Sequence, residues 1–264
     1  MTAIDTEQVL ALMREVGAGL CETFWHADPV VEPDEMIEAF RRVDGAASAG
    51  LRQALAQRYP AIGWIDNDIG EVTGDGEYWL CDAVDGAIQF VRAIPGWAMS
   101  LTLMREGVPV FTAVFDAMHD EMFHALSGHG AYNNGKAIRV NQRDSHYNAV
   151  VAGSQPPFVG KRRVPTRQAG AALSIMLRDV VAVRNLGATS LQLAYVACGR
   201  LDAFWEYGEG GFNCIGAALL ILEAGGVVTQ ADGAPYSVGA TSIAAAPPGA
   251  HASMLLRLQQ VPVA

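Results

Sequence analysis

The sequence predicts an α/β protein in which helices and sheets stack as a layered sandwich. Three observations support this fold class: apolar residues recur at helical spacing at the start of the chain, short β-rich runs separated by turns follow, and helical and strand-like segments alternate towards the end. Such elements bury their apolar faces by packing in layers. The 264 residues are 51% apolar and 17% charged, which is typical of a globular protein with a large buried core.

Two long helices are predicted first. Apolar residues at helical spacing mark the first of them: Val9, Leu10, Met13, Val16 and Leu20. The second helix opens at Pro33 and stops at Tyr59 and Pro60, because proline favours the first turn of a helix but cannot continue one.

An antiparallel meander is predicted after the helices. The strand-like residues 78–81 precede it, and its strands are the β-rich runs 97–104, 108–115 and 121–126. Residues 132–136 contain the Asn134-Gly135 pair, a strong turn signal, and are expected to finish the meander.

Helices and strands alternate in the rest of the chain. The predicted helices are residues 168–178, 190–198, 214–224 and 251–260, and the predicted strands are residues 180–183, 203–206, 227–229 and 242–246. The polar, proline-bearing residues 155–163 predict a boundary between two halves, residues 1–150 and residues 151–264.

Charge and cysteine usage narrow the classes of partner. Twenty-eight acidic residues against eighteen basic ones give a net charge of −10, which argues against nucleic acid as a partner. Charged residues interrupt the N-terminal segment, and no apolar run is long enough to cross a bilayer, so neither a signal peptide nor a membrane span is expected. The four cysteines lack the spacing of a zinc site or disulfide framework, and we expect reduced thiols in a cytoplasmic protein.

The stretch D-A-V-D-G-A-I-Q-F, residues 82–90, carries the clearest chemical signal. Asp82 and Asp85 follow a strand-like run and precede Gly86, so their carboxylates could converge on a hard cation such as Mg²⁺. If a helix begins at Ala87, its free N–H groups would suit a phosphate. A turn at a solvated strand end explains the same residues, and from this stretch alone both interpretations stay open.

Several motifs together resemble the inositol monophosphatase family of magnesium-dependent, lithium-sensitive phosphatases. They are the stretch above, G-H-G-A-Y-N-N-G at residues 128–135, residues 186–206, and F-N-C-I-G-A-A-L-L-I-L-E-A-G-G at residues 212–226. The resemblance extends from the first predicted helix to Ala246. It implies a layered α-β-α-β-α sandwich of the inositol monophosphatase and fructose-bisphosphatase type.

The resemblance also implies roles for the acidic residues. Asp82, Asp85 and the carbonyl group of Val84 match metal ligands of the family, and Asp68 matches a further ligand that helps to orient the attacking water. Asp44 matches an aspartate near a third metal. Asp68 and Asp44 are therefore the candidate catalytic residues.

The candidate substrate-binding residues are likewise implied by the resemblance: Gly86, Ala87, Thr189, Glu206 and Asn213. Asn213 stands where the family has a metal-binding aspartate, so one negative charge is missing and a second ion should be held more weakly. Ala87 stands where the family has a threonine whose hydroxyl relays a proton. Water activation would then depend on Asp68, or on Asp44 through a water.

The activity implied is that of a Mg²⁺-dependent phosphomonoesterase, a homodimer, acting on a small polyol or sugar phosphate. Two alternatives follow from the substitutions at Asn213 and Ala87. One is an impaired family member that binds a phosphorylated or polyhydroxylated ligand, or a protein partner. The other is a protein that performs different chemistry in the same pocket.

Overall fold

The computed structural model describes residues 3–66, 75–155, 163–208 and 211–262. Its helices are α1 (Thr6–His26), α2 (Pro33–Arg58), α3 (Ala87–Val91), α4 (Arg163–Met176), α5 (Thr189–Ala197), α6 (Gly211–Glu223) and α7 (Pro248–Leu258). Its strands are β1 (Gly63–Asp66), β2 (Glu77–Asp85), β3 (Ala98–Arg105), β4 (Val108–Asp116), β5 (Glu121–Leu126), β6 (Ala131–Asn133), β7 (Lys136–Ile138), β8 (Val150–Ser154), β9 (Ala182–Arg184), β10 (Ala203–Tyr207), β11 (Val227–Thr229) and β12 (Ser242–Ala246).

The elements form two sheets. In the first, β1 to β7 lie side by side in chain order, and from β2 onwards every neighbouring pair is antiparallel. In the second, the order is β11-β12-β10-β8-β9, with β8 parallel to both β10 and β9. The predicted meander is therefore confirmed.

Three apolar cores show how the layers stack. One core joins α1 and α2 to the outer face of the first sheet, with Met13, Leu51 and Leu101 fully buried. A second core places α5 and α6 between the two sheets. A third packs α4 and α7 against the far face of the second sheet. The order of layers is helices, sheet, helices, sheet, helices, as predicted.

The turn between β6 and β7 follows directly from its sequence. Asn134 and Gly135 both have positive φ, 48° and 74°, the geometry that a two-residue hairpin needs and that asparagine and glycine adopt most readily.

Strand β1 was not predicted. It has only four residues and pairs in parallel with β2, so its formation depends on a neighbour that lies later in the chain. The predicted helices 168–178 and 251–260 begin earlier than expected, at Arg163 and Pro248. The division into residues 1–150 and 151–264 stays a prediction, and the core around α5 and α6 contains residues from both parts.

Two further expectations concern the cysteines and membrane spans. All four cysteines are free. Among the described residues, no helix combines the length and the apolar character that a bilayer span requires.

Candidate active site

A β-bulge brings Asp82 and Asp85 to the same face of β2. Residues three apart on a regular strand point to opposite faces, but here Asp82 pairs with Ser100 and Asp85 pairs with Ala98, so β2 contains one residue more than β3 over this interval. Ala83 and Val84 both lie in the core beneath α1 and α2. The strand thus continues through both aspartates, where the sequence indicated that it ended at residue 81. Both carboxylates are buried on the side of α5 and α6.

The carboxylate of Asp85 is fixed by backbone N–H groups. Its Oδ2 accepts from the backbone N of Ser190 at 2.7 Å, and the backbone groups of Thr189 and Gly86 also hydrogen-bond to it. Burial raises the pKa of Asp85, and these hydrogen bonds act in the opposite direction because they favour the charged form.

Asp82 lies in a more acidic environment. Burial raises its pKa well above the ordinary value, and the negative charges of Asp85 and Asp44 raise it further. Hydrogen bonds from the backbone N of Val84, at 3.1 Å to Oδ1, and from the side chain of Asn213 lower it in part. A proton or a cation is therefore favoured at Asp82.

Asn213 reaches the two aspartates from the first turn of α6. Its Nδ2 donates to Oδ1 of Asp85 at 3.1 Å, and its Oδ1 is buried without a hydrogen-bond partner among the described residues. Helix α6 can come this close because Gly216 has no side chain. A Cβ at Gly216 would lie 2.0 Å from Oγ1 of Thr102 and 2.6 Å from Oγ1 of Thr112.

Gly86 and Ala87 form the start of α3, as the sequence indicated. Gly86 adopts a left-handed conformation with φ 91°, which only glycine adopts without strain, and a Cβ there would lie 3.2 Å from the carbonyl oxygen of Gly96. The backbone hydrogen bond from Gly86 goes to Asp85. Ala87 is the first residue of the helix, where an N–H group has no acceptor within the helix itself.

Glu206 enters the site from β10 of the second sheet. It is only 3% exposed, and its Oε2 accepts from Oγ1 of Thr189 at 3.1 Å. Burial raises the pKa of Glu206 to about 7, while hydrogen bonds from Thr189 and Ser154 lower it and the charge of Asp85 raises it. The side chain can therefore donate or accept a hydrogen bond near neutral pH.

The structure gathers most of the residues that the sequence indicated. Contacts or electrostatic interactions connect Asp44, Asp82, Val84, Asp85, Gly86, Thr189, Glu206 and Asn213, and Ala87 adjoins Gly86. Asp68 lies outside the described residues.

Two residues that contact the site, Ser190 and Ser154, were not expected from the sequence. Ser190 donates its backbone N–H group to Asp85, and any residue type could make this backbone hydrogen bond. Ser154 is the last residue of β8. This strand pairs in parallel with β10, and in that pairing Ser154 lies opposite Glu206. Only that strand pairing could have pointed to it.

Magnesium fits the chemistry of these groups. Asp82 and Asp85 are buried carboxylates whose pKa values are raised, so a cation between them would offset both the desolvation and the mutual repulsion. Oδ1 of Asn213, for which the described residues provide no hydrogen-bond partner, is a further oxygen at the same place. Within the described part of the chain, no three or more His, Cys, Asp or Glu side chains form a group that could hold a metal ion. Asp68 does not belong to that part.

Known proteins resemble this chain over most of its length. A model described as the inositol monophosphatase family matches residues 8–262. An inositol-1-monophosphatase from Rhizobium meliloti is 34% identical over 208 residues, which are 76% of this chain and 76% of that protein. A Nus factor SuhB from Pseudomonas aeruginosa is 34% identical over 195 residues, 72% of each chain.

A solved structure supports the fold independently. The extragenic suppressor protein suhB from Bartonella henselae superposes with a TM-score of 0.83 at 24% identity, covering 97% of this chain and 99% of that one. This likeness confirms the predicted fold class.

Proposed function

Because this chain belongs to the inositol monophosphatase family, we propose that it is a magnesium-dependent phosphomonoesterase that acts on a small polyol or sugar phosphate. The observation that supports the proposal most is the bulge in β2, which turns two buried aspartates to one face beside the amide of Asn213. A buried pair of like charges is costly, and a cation between the two carboxylates would lower that cost.

The reaction is hydrolysis of a phosphate monoester. A water oxygen forms a bond to phosphorus, the bond from phosphorus to the alcohol oxygen breaks, and the alcohol leaves with a proton that the water supplied. Asp82, Asp85, Asn213 through Oδ1, and in addition Asp68 and the Val84 carbonyl group, would hold Mg²⁺. When bound, Mg²⁺ would offset the charge of the phosphate and lower the pKa of the attacking water.

The remaining residues bind the substrate and move protons. Asp68, or Asp44 through a second water, would take a proton from the attacking water. Asp44 is near enough to Asp82 for its negative charge to raise the pKa of that residue. The N–H group of Ala87 would donate to a phosphate oxygen. Glu206, held by Thr189, would hydrogen-bond to a hydroxyl group of the polyol, and its pKa of about 7 allows either direction of donation.

The proposal also includes a homodimer in the cytoplasm. It does not include nucleic acid as a partner, because the net charge of −10 opposes binding to a phosphate backbone.

A second candidate is a family member that binds its ligand with little or no turnover. Ala87 has no hydroxyl group to relay a proton, and Asn213 lacks the charge of a carboxylate. One relative of comparable identity is a Nus factor SuhB, so a role in binding another protein is the form this candidate takes.

Phosphate release from a panel of inositol and sugar phosphates in the presence of Mg²⁺ would test the first proposal. We expect activity that EDTA abolishes and that Asp82→Asn reduces by roughly 10²-fold or more. Asp34→Asn, an equal charge change at the exposed start of α2, is the control and should leave activity unchanged. Activity that survives both EDTA and Asp82→Asn would refute the proposal.

A further inference from the structure

The amide of Asn213 donates through its NH₂ group to a buried carboxylate. A carboxylate oxygen that carries no proton can only accept, so the NH₂ group and not the amide oxygen faces it. Nδ2 of Asn213 donates to Asp85 at 3.1 Å, and the same side chain hydrogen-bonds to Asp82. The NH₂ group therefore bridges the two carboxylates as a neutral hydrogen-bond donor.

In this orientation the amide oxygen makes no hydrogen bond with the described residues. Oδ1 of Asn213 is buried and has no hydrogen-bond partner among the described residues. A buried acceptor without a partner costs free energy that a bonded one does not. Among the described residues, the two aspartates are the groups that stabilise the present orientation.

A cation between Asp82 and Asp85 reverses the preference. An NH₂ group cannot be a ligand of Mg²⁺, whereas an amide oxygen can. A cation would repel the NH₂ hydrogens, and rotation of the amide by half a turn about its last bond would place Oδ1 on the ion. The two states use the same three side chains and exclude each other.

We propose that Asn213 is an exchangeable bridge, with NH₂ joining Asp82 and Asp85 in the cation-free protein and Oδ1 turned to the ion when one binds. The aspartate pair then keeps two hydrogen bonds without metal, and the protein gives up those bonds to bind it. The cation is accordingly held more weakly than it would be with a carboxylate at this position, and about one ion is held per chain. The inference rests on the proposed function in placing a divalent cation at Asp82 and Asp85.

NMR of the side-chain amides tests the rotation in the wild-type protein. The NH₂ signals of Asn213, assigned by their loss in Asn213→Ala, should shift as Mg²⁺ is added. Asn141 provides the matched control, because its Nδ2 also donates to an aspartate, Asp202, at 2.6 Å, away from the site. Its signals should not move. Asn213 signals that stay unchanged while Mg²⁺ saturates the protein would overturn the proposal.

Asn213→Asp tests the weaker binding. Without cation, a third carboxylate beside Asp82 and Asp85 should lower the melting temperature relative to wild type, and with Mg²⁺ it should raise it. Binding of Mn²⁺, followed by electron paramagnetic resonance, should become roughly tenfold tighter and exceed one ion per chain. An equal change of melting temperature with and without cation, or unchanged Mn²⁺ affinity, would count against the exchange.

The outcomes separate this inference from the proposed function. If the amide responds to Mg²⁺ but no phosphate ester is hydrolysed, the exchange stands and the phosphatase proposal fails. If Mn²⁺ binds and esters are hydrolysed but the NH₂ signals of Asn213 do not shift with Mg²⁺, the exchange alone fails. If neither the wild-type protein nor Asn213→Asp binds Mn²⁺, both fail.

Discussion

The carboxylate of Asp85 accepts the backbone N–H of Ser190 at 2.7 Å and so caps α5 from a strand far away in the chain. The residue before this helix, Ala188, has no side chain that could do so. Asp85 therefore has a structural role beside its place in the candidate site. Asp82, which meets mainly burial and negative charge, does not share this role.

This difference predicts opposite effects on stability. In EDTA, Asp85→Ala should lower the free energy of unfolding by about 1–3 kcal/mol, because the buried N–H of Ser190 loses its acceptor. Asp82→Asn should not destabilise and should slightly stabilise the protein, since the raised pKa of Asp82 shows that a neutral group is favoured there. Urea denaturation of both variants measures the effects. Equal losses in the two variants would contradict the assignment.

Glu206 should make stability depend on pH. Its pKa of about 7 in the folded protein lies above the ordinary 4.5. The stabilisation that comes from the protonated side chain is therefore complete below about pH 4.5 and is lost as pH rises towards 7. Relative to Glu206→Gln, which stays neutral, the wild-type protein should lose about 3 kcal/mol over this range. Urea denaturation of both proteins in EDTA at several pH values measures the difference.

Glu121 provides a control of opposite sign. Hydrogen bonding to Arg200 lowers the pKa of Glu121, so its stabilisation is present above the ordinary pKa and is lost as pH falls. Glu121→Gln should therefore remove a stabilisation that grows with pH. If the difference in free energy of unfolding between the wild-type protein and Glu206→Gln does not change with pH, the pKa of Glu206 is not raised.

The sequence indicates the residue types of the candidate site, but it does not indicate their geometry. Asp82 and Asp85 stand in a local motif, but the bulge that turns them to one face is a matter of pairing with Ser100 and Ala98 on another strand. The burial of Glu206 could not be inferred either, because β10 lies inside the second sheet between β8 and β12 and is buried along its whole length. Such features depend on tertiary neighbours, which local periodicity does not report.

Gly216 is predicted to set the position of Asn213. In Gly216→Ala, the new Cβ would overlap Oγ1 of Thr102, so α6 must move away from the first sheet. We expect a loss of about 1–3 kcal/mol of stability, from overpacking, together with weaker Mg²⁺ binding. Urea denaturation and Mg²⁺ titration measure the two effects.

A matched substitution separates the close contact from the helix propensity of alanine. Gly50 lies in α2, and a Cβ at that position would have nothing within 4 Å, so Gly50→Ala should stabilise the protein. Adding Thr102→Ala to Gly216→Ala removes the nearer of the two oxygens that the new Cβ would overlap, and it should restore part of the Mg²⁺ affinity. If Gly216→Ala is as stable as Gly50→Ala, α6 is not held by this contact.

The last prediction concerns Ala87 and Asn213, the two positions at which the resemblance implies departures from the family's motifs. Ala87→Thr introduces a hydroxyl group at the start of α3, and Asn213→Asp introduces a carboxylate beside Asp82 and Asp85. Positioned proton transfer contributes roughly 10²–10⁴-fold to a rate, so the double variant should raise kcat by about 10²-fold, and more than the product of the single changes. Ala11→Thr on the exposed face of α1 is the control and should leave kcat as it is. No gain in the double variant, with Mg²⁺ binding intact, would favour the second candidate function, a binding protein that retains the fold and the ion but not the turnover.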